Sequence, residues 1–113
     1  MNSAWEHFFA ATTVLASAGP IKHRLAEAYR AHLEGLDQDE LPKEIREEFT
    51  TLSTSMCRVR PLRGETATQA TVRKMSDLEA GRVAGRIVNM LAVIVRVQGQ
   101  QRPKLRAVNS NDD

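Results

Sequence analysis

The sequence predicts an all-α fold: a small bundle of four to five helices with a long apolar C-terminal helix and a disordered tail. Three observations lead there. Apolar residues recur at three- and four-residue spacing through most of the chain, which is the helical period. Ser/Thr-x-x-Glu/Gln patterns, in which a hydroxyl and a side-chain carbonyl satisfy otherwise unpaired amides, stand before these stretches. Strand signals are missing. At 113 residues the chain can bury roughly 65% of its unfolded surface. A single helical-bundle domain is expected over residues 1–98, followed by a flexible polar tail over residues 99–113.

Ser3 with Glu6 opens the first helix, and Trp5, Phe8, Phe9, Thr12, Leu15 and Ala16 carry it over about residues 4–17. Gly19 and Pro20 end it. Pro20 suits the start of a second helix, where its missing amide would be unpaired anyway. Ile21, Leu25, Ala28, Tyr29, His32 and Leu33 form the second stripe, which Gly35 stops, so the first two helices make a hairpin. The acidic linker LDQDELP leads into a third helix over about residues 43–59, where Ile45, Phe49, Leu52, Met56 and Val59 step by 4, 3, 4 and 3. That is a one-face seam. Acidic residues at its start and Arg58 and Arg60 at its end complement the helix dipole, and Pro61 stops it.

Thr66 with Gln69 and Ser76 with Glu79 are two further capping boxes. They allow a short helix over residues 67–75 before a long one over 77–98, or one continuous helix over 67–98. In the last stretch Val83, Ile87, Val88, Met90, Leu91, Val93, Ile94, Val95 and Val97 run nearly all the way round. A helix apolar on every side must be buried on every side. It is expected at the centre of the bundle, with any face its neighbours miss meeting a second copy. Ile87, Met90, Leu91 and Ile94 are the expected homodimer interface, with exposed Trp5, Phe8 and Phe9 beside it. Asn89 either fixes register across that interface or lies exposed. Gly81 and Gly85, with Ala80 and Ala84, make one side of the helix small enough for close packing.

Several function classes are set aside by what the chain contains. Cys57 stands alone, so no intramolecular disulfide forms, and His7, His23 and His32 include no i, i+4 pair that could share a metal. No metal site and no cofactor are expected. The hydroxyls of Ser53, Thr54 and Ser55 lack an evident base, and the Glu44, Glu47 and Glu48 carboxylates read as a solvated helix face. No catalytic residue is assigned, and the expected protein is not an enzyme. Trp5, Glu6 and His7 stand where a secretory signal would carry positive charge before an apolar run, so a cytoplasmic location is expected. The apolar run Ile87 to Val95 falls short of the ~20 residues of a membrane span, so no membrane partner is expected.

The net charge of +2 conceals an asymmetry. Residues 1–57 hold five Lys/Arg and nine Asp/Glu, a balance of −4, whereas residues 58–113 hold eleven and five, a balance of +6. The segment 58–74 concentrates Arg58, Arg60, Arg63, Arg73 and Lys74. Two roles compete for these residues: gripping an acidic partner, or pairing with the acidic half of the same chain. The leading expectation is a non-enzymatic adaptor or regulatory protein-binding module, homodimeric, whose Arg-rich segment contacts an acidic protein surface. The alternative is a nucleic-acid-binding protein using the same segment. Stacking platforms for bases would need aromatics, and none occurs after Phe49.

Overall fold

The helix-start signals of the sequence become helix starts in the computed structural model, which describes residues 3–100. Glu6 accepts a hydrogen bond from the Ser3 amide at 2.9 Å at the head of α1 (Ala4–Leu15). Thr66 and Gln69 cap each other reciprocally at 2.9 and 3.0 Å before α4 (Ala67–Lys74). Ser76 and Glu79 do the same before α5 (Asp77–Gln100). The stretch after residue 66 is therefore two helices. Met75 between them is extended, at φ −77° and ψ 151°. No strand forms among the described residues. Of the tail expected over residues 99–113, Gly99 and Gln100 belong to α5, and the rest lies outside the described residues.

Helix ends depart from the sequence reading, and tertiary partners decide where. α1 stops at Leu15 because Arg24 reaches back to cap it, donating to the Leu15 and Gly19 carbonyls. Gly19, at φ +112°, makes the corner that a side chain would strain. α2 (Ile21–Ala28) runs on into a π-helical turn, Tyr29–Leu33, closed by the Glu34 amide on the Tyr29 carbonyl at 2.8 Å. A short 3₁₀ turn, Gln38–Glu40, leads to α3 (Lys43–Met56). The third helix ends at Met56 rather than at residue 59. The Val59 amide donates instead to Thr71 Oγ1 on α4 at 3.1 Å, which pulls the chain out of the helical ladder.

α5 is the hub, packing against α1, α2 and α3. Its inward face, Ala80, Ala84, Ile87, Met90 and Ile94, joins one core with Phe8, Leu25, Leu33, Ile45, Leu52 and Met56. Fully burying a side chain of this size contributes roughly 1.5–3 kcal/mol. Phe8 meets Phe49 nearly edge-on, with ring centroids 5.9 Å apart.

Two expectations about α5 are corrected here. The helix is long, but it is amphipathic rather than apolar all round, because Arg82, Asn89 and Arg96 lie exposed on the side away from the core. Ile87, Met90 and Ile94, expected at a dimer interface, are fully buried within the chain's own core, and Leu91 is half-buried against it. Phe8 is likewise internal, while Trp5 and Phe9 remain exposed with ring centroids 6.0 Å apart. The small side also splits. Ala80 and Ala84 face inward, whereas Gly81 and Gly85 face open space with nothing within 4 Å of where a Cβ would sit.

Candidate functional site

The five cationic residues of segment 58–74 do not behave as one group. Arg73 is committed. Its guanidinium makes a two-point contact with Glu65, at 2.7 and 3.1 Å, and its carbonyl accepts from Lys22 Nζ at 3.1 Å. The Arg73 hydrogen bond and the Leu62 amide hold the Glu65 carboxyl below the usual range, and the same contact raises Arg73. Arg58, Arg60, Arg63 and Lys74 are exposed and make no ion pair among the described residues.

Their backbone is well fixed. The 57–66 segment lies along α4, tied at one end by the Val59 amide on Thr71 and at the other by Glu65 on Arg73. Gly64, at φ +83°, turns it between those ties. The arginines thus project from an anchored strap.

A cleft of about 320 Å³ opens beside this strap, between the end of α3 and the first half of α5. Ser55 and Arg58 line it from α3 and the residues just after it; Glu79, Arg82, Val83 and Arg86 line it from α5, and Met75 from the junction before it. Sequence reading missed Arg82 and Arg86. It weighed charge density along the chain, whereas these two are brought to Arg58 by packing across helices. Their four-residue spacing, which puts both on one helix face, was the signal that could have found them. Arg86 pairs loosely with Glu48 of α3 at 3.7 Å, and Arg58 leans on Ser55 Oγ at 3.4 Å. Arg82 makes no ion pair among the described residues, while one Glu79 oxygen is occupied by the Ser76 amide.

Two further clefts are less suited to a partner. The first, about 370 Å³ between α2 and α4, is lined by Lys22, His23, Glu27, Arg30 and Arg73, two of which are already engaged with each other. The second, about 360 Å³, mixes His7, Arg30 and His32 with Glu34, Asp37 and Glu40. No group of three or more His, Cys, Asp or Glu residues that could hold a metal ion occurs among the described residues. No described helix is long and apolar enough to cross a membrane. Cys57 is an exposed free thiol at the end of α3. Tyr29 is the buried titratable group of the core; desolvation raises its hydroxyl above the usual value, opposed by a hydrogen bond with Ser53.

Compared with protein-family models, curated proteins and solved structures, the chain matches none.

Proposed function

We propose that the chain is a non-enzymatic adaptor or regulatory module that binds an acidic protein surface through the strap 57–66 and the α4–α5 junction. One observation carries this reading: Arg58, Arg60, Arg63 and Lys74 are all exposed and without ion pairs among the described residues. Among the described residues the rival role, pairing with the acidic half, is taken by none of these four, and the one ion pair between the halves is Arg86 with Glu48 at 3.7 Å. Guanidinium groups recognise carboxylates through charge-assisted, bidentate hydrogen bonds. Replacing Arg60 and Arg63 together with alanine is expected to weaken binding to an acidic partner severalfold, with unchanged circular dichroism. Loss of helicity in that variant would assign the arginines a structural role instead. A nucleic-acid partner would announce itself by affinity falling steeply with salt.

A second copy remains a proposed partner, on a different face of α5 from the one first expected. Leu78, Gly81, Gly85, Val88, Ala92, Val95 and Gly99 are exposed and uncharged, and step along the helix by 3, 4, 3, 4, 3 and 4. Leu78, Val88 and Val95 are 65%, 42% and 54% exposed. Packed antiparallel on itself, this stripe sets Leu78 opposite Gly99 and Val95 opposite Gly81, so large residues meet small ones in an isologous contact. Light scattering across a dilution series is expected to show a dimer that Val88→Glu dissociates. A monomer at every concentration would remove this reading.

A further inference from the structure

We infer that the α3–α5 cleft seats a peptide segment of a partner protein that presents one carboxylate beside one apolar side chain. This rests on the protein-binding reading above and gives it an address. At about 320 Å³ the cleft sits at the lower end of ligand-pocket sizes, which suits the insertion of a pair of anchor side chains rather than a whole helix. Its lining is two-sided. Half-buried Val83 and buried Met75 offer apolar surface, and Arg58, Arg82 and Arg86 are the cationic residues of its lining.

The charge arrangement selects the guest. Arg86 already shares Glu48, and the Glu79 carboxylate lines the same cleft, so the uncommitted cations are Arg58 and Arg82. Two guanidiniums with a carboxylate close by suit a singly charged carboxylate better than a doubly charged phosphate. The lining carries no aromatic residue on which a base could stack. Both features favour an acidic peptide over a nucleic acid. An apolar neighbour of the carboxylate then covers Val83, and exclusion of water there strengthens the ion pair, since charges attract more strongly away from bulk solvent.

The test uses the full chain and a short fluorescein-labelled peptide carrying Glu and Leu four residues apart, on one helix face. Fluorescence anisotropy is expected to show binding that falls about tenfold with Arg58→Ala or Arg82→Ala, the scale of a lost charge-assisted hydrogen bond. Val83→Ser and a Gln-for-Glu peptide are expected to weaken it similarly. Charge exchange adds a gain-of-function arm: Arg82→Glu should prefer a Lys-for-Glu peptide. On the unsubstituted protein, amide shifts in nuclear magnetic resonance are expected to centre on Ser55, Val83 and Arg86, which locates the site even where a variant fails to fold. Binding that ignores Arg82 and Val83 but is lost with Arg60→Ala and Arg63→Ala overturns the cleft and leaves the protein-binding reading standing. Failure to bind the peptide, alongside salt-sensitive binding of a labelled DNA duplex, overturns both.

Discussion

Two threonines on α4 show how much a single hydroxyl can matter. Both are buried, yet Thr71 Oγ1 accepts from the Val59 amide and donates to the Ala67 carbonyl at 2.8 Å, while Thr68 Oγ1 has no hydrogen-bond partner. The same substitution should therefore act with opposite sign. Thr71→Val leaves the Val59 amide unpaired and is expected to cost about 1–3 kcal/mol. Thr68→Val removes a polar group that desolvation penalises, and is expected to raise stability by about 1 kcal/mol. Urea denaturation with an unchanged m-value measures both; equal losses would mean that the Thr68 hydroxyl is satisfied in solution. Neither role was legible in the sequence, because each depends on what packs against α4 rather than on its own local pattern.

At the scale of the helix, starts were legible and the ends of α1 and α3 were not, for a physical reason. A capping box is local, so Ser3/Glu6, Thr66/Gln69 and Ser76/Glu79 announce themselves within four residues. The end of α3 depends on Thr71, twelve residues beyond Val59, and the end of α1 depends on Arg24 of the next helix. The outer face of α5 was misread because its valines were counted with the core set, although buried and exposed positions each keep a regular spacing of three and four. Gly81 and Gly85 sharpen that point. Each has room for a methyl group, so Gly→Ala at either is expected to raise the stability of the dilute protein by about 1 kcal/mol. If the face holds a second copy, the same changes weaken dimerisation in light scattering, because the added methyl groups keep the backbones apart. No stabilisation in the dilute variant would place a contact at these glycines that the single chain lacks.

Across the whole molecule, the all-α class and the hub position of the last helix were both readable, since they follow from periodicity and from the concentration of apolar residues after Val83. Half of the candidate site was readable too. The strap arginines fall within six residues of one another, Arg58 to Arg63, whereas Arg82 and Arg86 become neighbours of Arg58 only through the α3–α5 packing. The most extensive pairing of helices joins α1 to α5, the first and last described. During synthesis that arrangement imposes an order of events. Phe8, Leu25 and Leu52 leave the ribosome well before the helix that covers them, and at roughly 5–20 residues per second the wait lasts seconds. The nascent chain therefore carries an unfinished apolar surface until α5 emerges. α5 acts as the closing piece of this core, and a ribosome stalled before residue 77 would display that surface to chaperones.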